Sequence, residues 1–233
     1  MSNLKNIRTI FNREFKSYFD SPVAYVFLVA FLVLVGFLTF GVTMYYERRQ
    51  ANLTPFFFWH PWVYLLLVPA ATMGLWAEER RNGTIELLLT LPVTLVEALV
   101  GKFLAAWAFI GIALALTFPV VLTTAWLGDP DAGAIICGYL GSFLLSGACV
   151  AIGVFASAIS RSQVIGFDPV INAVAGWGVP ASVVNAVASC SLMQHFDAMR
   201  RGVIDVYDIT YYLGVMVFML AAAHVVTDNR KAS

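Results

Sequence analysis

VAYVFLVAFLVLVGFLTFGVTMYY, Val23 to Tyr46, decides the fold. The run holds no charged residue, and a membrane-spanning helix needs roughly 20 apolar residues. Ser21-Pro22 stands before it in the order that opens a helix, cap first and proline at the first helical position. Further runs of the same kind follow. Phe56 to Ala77 opens on Phe56, Phe57, Phe58, Trp59 and Trp62, an aromatic density suited to a membrane interface. Leu95 to Leu127 begins at Thr94-Leu95-Val96-Glu97, a capping box. Ile135 to Ile159 is rich in Gly, Ala and Ser, which lets helices approach closely. Ile209 to Val226 is just long enough to span, and Asp205 and Asp208 precede it where acids favour a helix start.

Composition agrees. Of 233 residues, 60% are hydrophobic and 12% charged, and the net charge is zero. The mean hydropathy is +0.80. A water-soluble fold of this size could not cover so much apolar surface, so lipid is the expected solvent. Nothing in the charge balance draws the chain to nucleic acid. Cys137, Cys149 and Cys190 show no CxxC pairing, and the first two sit in one apolar run as small packing residues. The stretch before residue 20 lacks a cleavable leader's short apolar core and is expected to be retained.

Two segments depart from simple spans. In residues 4 to 19, Leu4, Ile7, Phe11, Phe15 and Tyr18 recur at helical spacing, with Lys5, Arg8, Asn12 and Lys16 opposite. This predicts an amphipathic helix, residues 1–22 with its lead into the first span, lying on the cytoplasmic leaflet; Arg8, Phe11, Phe15 and Lys16 are its candidate interfacial residues. In residues 168–208 the pattern is irregular. Asp168-Pro169 breaks an apolar start at Val164 to Phe167, and Val170 to Leu192 carries Asn172, Pro180 and Asn185.

Charge placement suggests the topology. With a cytoplasmic N-terminus and six spans, Lys5, Arg8, Arg13, Lys16, Arg80, Arg81, Lys102, Arg161, Arg230 and Lys231 lie inside. Arg48, Arg49, Arg200 and Arg201 lie outside, a split of ten against four. Five spans exchange Arg200 and Arg201 for Arg230 and Lys231 and give the same split, so charge cannot choose between them.

The loop between the second and third spans, WAEERRNGTIELLLTLPVTLVEALVGK from Trp76 to Lys102, is the most informative for function. Glu78 to Arg81 mark the exit from lipid, and Asn82-Gly83 makes a turn. Thr84 to Leu91 is predicted as a short helix with Glu86 in its first turn, Ile85, Leu88 and Leu89 on one side, and Pro92 as its stop. Such a helix, held between two spans, can press on a partner and transmit a push along both.

EERRNGTIELLLTLPVT (residues 78–94) resembles the first cytoplasmic loop of type-2 ABC-transporter permeases, above all the small gliding-motility-associated subfamily. REFKSYFDSPVAYVF (Arg13 to Phe27), SRSQVIGF (Ser160 to Phe167) and HFDAMRRGVIDVYD (His195 to Asp208) resemble its other landmarks, in order along nearly the whole chain. The resemblance implies an all-α, six-span permease in a single domain, residues 1–233, multi-pass in the cell inner membrane with both termini cytoplasmic. It implies a dimer, with a second copy or a homologous permease, and two separate ATPase subunits that bind ATP and Mg. Glu78, Glu79, Gly83, Thr84, Ile85, Glu86, Leu88 and Leu89, in the coupling loop 78–94, would contact the ATPase. Export is implied by the family alone. The sequence departs from the family after SRSQ, where ten to fifteen apolar residues of a fifth span are missing, judged against the roughly 20 a span needs. Either the chain belongs to a longer one or the span is rebuilt from Val170 onward; the first is preferred.

No enzyme is expected in this chain. It has no GxxxxGK[ST] loop, since Gly101-Lys102 lacks the upstream glycine and the following Ser or Thr. It has no GxSxG, and His60, His195 and His224 lack metal-ligand spacing, so no cofactor is expected on the chain itself. The inner spans are read as free of ionisable residues, which speaks against a proton- or ion-driven carrier. A stand-alone channel or secondary carrier, and a membrane scaffold without transport activity, are the competing classes; a bound ATPase separates them from the permease.

Overall fold

The computed structural model describes residues 2–47, 51–72, 94–159 and 192–229. Every regular element among them is a helix. The segments 73–93 and 160–191, with the predicted helix Thr84 to Leu91 and the residues after SRSQ, lie outside the described residues.

Helix α1 spans Ser2–Asp20. Ser21 then turns to an extended conformation and its Oγ accepts from the Val23 amide, so α2 restarts at Pro22–Gly36 as the sequence predicts. The helix widens into a π-helical stretch, Phe37–Val42, and ends by Thr43, whose Oγ donates to the Leu38 carbonyl at 3.0 Å. The second run is not one helix. It opens as α3 (Thr54–Phe58), capped by Asn52 Oδ1 on the Thr54 amide, and restarts as α4 (His60–Thr72). The third run also divides. Helix α5 (Leu95–Ala115) opens on the predicted capping box, with Thr94 Oγ accepting from the Glu97 amide and Glu97 accepting from the Thr94 amide at 2.8 Å. Helix α6 (Phe118–Leu127) begins after Thr117, because Pro119 has no N–H to continue the ladder. Helix α7 (Ala132–Ile159) is capped by Asp131, and α8 (Leu192–Met199) leads into α9 (Val206–Asn229).

Among the described residues, four segments are long and apolar enough to cross a membrane: Pro22–Val42, Leu95–Leu127, Ala132–Ala158 and Val206–Asp228. Helix α7 is central, and half of its apolar window is buried against 17% for α9. Its small residues account for this. Gly138 meets Phe57, Gly141 meets Met199, Gly147 meets Trp107 and Met216, and Gly153 meets Thr72. The outer faces stay apolar: Val23, Val26, Val29 and Val33 of α2, Phe37 of the π-helical stretch after it, and Val217, Phe218 and Val225 of α9 are all more than half exposed. Rows of that extent suit lipid, and the chain is a multi-pass membrane protein.

The contacts fix the helix directions. Helix α5 runs antiparallel to α7, since Trp107 stacks on Phe143 at 4.4 Å and Thr117 meets Tyr139 at 3.0 Å, one helix ascending as the other descends. Helix α9 runs parallel to α7: Gly202 lies against Ala134 before Met216 reaches Gly147. The ends of α4, α7 and α9 and the start of α5 therefore share one end of the bundle. The other end gathers residues 42–47, 51–59, 128–135 and 199–206.

Candidate functional site

At the first end, the chain enters α5 directly from the predicted coupling loop. There α1 lies along α5 in the same direction. Asn6 Nδ2 donates to Glu97 Oε2 at 3.3 Å, Ile10 covers Gly101, and Tyr18 stacks on Phe109 at 4.8 Å. Between these, Glu14 meets Lys102 at 3.3 Å. The fit at Gly101 is close: a methyl group built there would lie 2.7 Å from Ile10 Cγ2 and 3.3 Å from the Ile7 carbonyl oxygen. Helix α1 thus reads the first two turns of α5 through one backbone notch and two polar contacts.

Glu97 has two tasks. It closes the capping box and also accepts from Asn6, so the residue that starts α5 also holds α1. Lys102 is only 2% exposed. A buried ammonium is costly without a partner, and the Glu14 carboxylate supplies one. Burial pushes the Glu14 carboxyl up, but Lys102 and Arg13 together outweigh it and hold the group below its usual value. The reading of the inner spans as free of ionisable residues therefore fails at the start of α5, where Glu97 and Lys102 are both buried.

This pair gives a pH dependence of known sign. A depressed carboxyl adds stability above its unfolded value, about 4.5, and loses it as the pH falls through the folded value. Glu14→Gln is expected to cost about 2 kcal/mol, the range for a hydrogen bond to a charged group. Thermal unfolding in detergent should show a lower melting temperature at pH 7, and a smaller further drop for the variant than for wild type between pH 6 and pH 4. Equal melting curves at both pH values would remove the ion pair from the account.

The predicted residues distribute as follows. Arg8 and Lys16 lie on the exposed side of α1. Phe11 and Phe15 are half-buried and stacked on each other at 5.5 Å. Leu4, placed on the apolar side by its spacing, is 77% exposed. Glu78, Glu79, Gly83, Thr84, Ile85, Glu86, Leu88 and Leu89 lie outside the described residues. Sequence reading missed Asn6, Glu14, Gly101 and Lys102 as a set. One signal was available: Glu14 shares a helix side with Ile7, Phe11 and Tyr18, and a lone acid there calls for a cation inside the fold.

The opposite end carries a second polar group. His195 Nδ1 lies 2.7 Å from Asp208 Oδ1, both nearly buried, and the imidazole stacks on Tyr211 at 4.0 Å. Tyr212 donates to the Leu192 carbonyl at 2.7 Å. These contacts tie α8 to the start of α9 and give the motif His195 to Asp208 a structural task.

Residues 8–166 match the family model described as ABC-2 family transporter protein, well over half of the chain. The chain belongs to the ABC-2 transporter family. Among curated proteins, none matches it. ABC-2 membership makes the chain the membrane-spanning permease component of an ABC transporter, a component that is generally not itself catalytic and works with an ABC ATPase. The ABC-2 match ends at residue 166, two residues before Asp168-Pro169, where the sequence leaves the expected pattern.

Proposed function

We propose that this ABC-2 protein is the permease of an exporter, a dimer of six-span subunits in the cell inner membrane, closest to the gliding-motility-associated subfamily. Separate ATPase subunits hold ATP and Mg and drive it. The observation that carries the reading is the family match over residues 8–166. The start of α5 adds local support. The helix that follows the coupling loop is capped and tied to α1, so a push delivered at residues 78–94 has a rigid element to act on. Glu78, Glu79, Gly83, Thr84, Ile85, Glu86, Leu88 and Leu89 are the proposed ATPase contacts. Arg8 and Lys16 on α1 face outward toward anionic headgroups, while Phe11 and Phe15 rest at the edge of the apolar seam.

The parallel course of α7 and α9 supports an even number of crossings. With five spans the last helix would run against α7; with six it runs with it, and both termini share the cytoplasmic side. A cysteine introduced at Asn229 is therefore expected to resist an impermeant maleimide in intact cells and to react after lysis. Ready labelling in intact cells would refute the six-span topology. The functional test is co-purification with candidate ABC ATPases, followed by ATP turnover in liposomes. A chain that purifies alone and leaves every candidate ATPase unstimulated would rule the permease out.

A further inference from the structure

At the end of the bundle opposite the start of α5, a cavity of about 470 Å³ opens between the π-helical end of the first span, the start of α3 and the end of α8. Its walls are aromatic and fixed. Trp59 Nε1 donates to Thr43 Oγ at 2.7 Å, and the Tyr45 hydroxyl is 3.1 Å from Thr124 Oγ. Phe58 completes the wall, with the Arg200 guanidinium 5.4 Å from its ring centre. Arg200 is the only charged residue lining this cavity among the described residues.

Arg200 Nε donates to Asp197 Oδ1 at 2.6 Å in an ion pair that holds one edge of the guanidinium; its two Nη nitrogens have no hydrogen-bond partner among the described residues. Asn52 Oδ1 is taken by the Thr54 amide and hydroxyl at 2.8 and 2.6 Å, so its Nδ2 donor is turned away from the cap. A second cavity of about 340 Å³ shares Asn52 and Arg200 and adds Arg201, Asp129 and Asp131. One Asp131 oxygen there is occupied by the Gly133 and Ala134 amides.

A guanidinium fork and an amide donor match the oxygens of a phosphate, and neutral walls of Trp, Tyr and Phe match the apolar part of an interfacial molecule. The volume falls in the range of small-ligand sites. We propose that this cavity binds the net-anionic, phosphate-bearing headgroup of an amphiphile, with Arg200 and Asn52 as donors, and discriminates against a headgroup that carries its own cation. The site does not depend on ATPase binding, so it stands apart from the permease reading.

The test uses the whole chain, delipidated in a neutral detergent and titrated with dioleoyl phosphatidylglycerol or dioleoyl phosphatidylcholine under native mass spectrometry. Phosphatidylglycerol is expected to bind about tenfold more tightly than phosphatidylcholine, and Arg200→Gln to remove about that factor, the loss of one charge-assisted contact. Asn52→Asp keeps the oxygen that caps α3 and replaces the donor with a carboxylate. It should weaken phosphatidylglycerol at least as much, and it keeps the proposal testable if Arg200→Gln does not fold. Arg201→Gln, at the second cavity only, should bind as wild type does. Glycerol 3-phosphate separates the two sources of the phosphate. Displacement of phosphatidylglycerol by the soluble ester means the headgroup alone is recognised and a soluble phosphoester can occupy the site. Failure to displace means a membrane-anchored lipid is the occupant. Equal binding of the two lipids, or phosphatidylglycerol binding unchanged in both Arg200→Gln and Asn52→Asp, would overturn the proposal.

Discussion

Replacing Gly101 with valine is expected to separate α1 from α5. Intrinsic preference points the other way, since glycine in a helix interior is worse than alanine by about 1 kcal/mol. Packing decides the sign. The first added carbon would lie 2.7 Å from Ile10 Cγ2, and the side chain of Ile10 has little room because it is 9% exposed. Rotating Ile10 does not solve the problem, because the same carbon would sit 3.3 Å from the Ile7 carbonyl oxygen, which is backbone. The helix must therefore move outward, and valine's two further methyls enlarge the movement. Overpacking of this kind costs about 1–3 kcal/mol. The shift also stretches the Asn6–Glu97 and Glu14–Lys102 contacts, which flank the notch. Trypsin reads the outcome directly, because Lys5, Arg8 and Lys16 lie on the exposed side of α1. Cleavage there should rise about tenfold for each 1.4 kcal/mol of lost docking, while the rest of the chain stays intact. Cleavage rates and melting temperature equal to those of wild type would show that α1 does not depend on this notch.

How much of this was legible follows the range of each interaction. The Ser21-Pro22 start and the Thr94–Glu97 box are local chemistry, three residues or fewer apart, and both stand where the sequence places them. The apolar runs were equally plain, because hydropathy reports the solvent of a segment without reference to its neighbours. Their internal breaks were harder. Hydropathy is blind to the missing N–H of Pro119, so Leu95 to Leu127 reads as one span although the helix restarts at Phe118. The α1–α5 seam was not legible as a whole: Asn6 and Glu97 are 91 positions apart, and no periodicity in either helix names its partner. Small residues in α7 announced close packing but not which helix each glycine would receive; Gly138 takes Phe57 of α3 and Gly153 takes Thr72 of α4 only once both run beside α7. Charge could not separate five spans from six, since two arginine-rich segments exchange sides. Helix direction is a different observable, and the parallel pair α7 and α9 favours the even count.

The change expected to act most strongly on function is Leu88→Asp. Residues 84–91 precede Thr94 by a few positions, and Thr94 caps the helix to which α1 is tied. A partner that grips Ile85, Leu88 and Leu89 would therefore pull on α5 and α1 together. These three stand at i, i+3 and i+4, the spacing by which a helix anchors in a partner's groove. Burying a leucine side chain is worth roughly 1.5–3 kcal/mol, and the aspartate removes that and places a charge in an apolar pocket. ATPase binding should fall at least about tenfold, equivalent to 1.4 kcal/mol. Insertion and dimerisation should persist, because no membrane-spanning residue changes. Gly83→Val is the second arm: if the turn expected at Asn82-Gly83 needs a positive φ at Gly83, the β-branched side chain should misplace the proposed helix without touching an anchor. The competing account places these leucines in lipid headgroups as a simple anchor for the loop. On that account Leu88→Asp loosens the loop and leaves the ATPase bound. Pull-down of the ATPase, with ATP-driven transport measured on the same preparations, therefore decides between them. A Leu88→Asp protein that retains its ATPase and transports at the wild-type rate places the coupling element elsewhere in the chain.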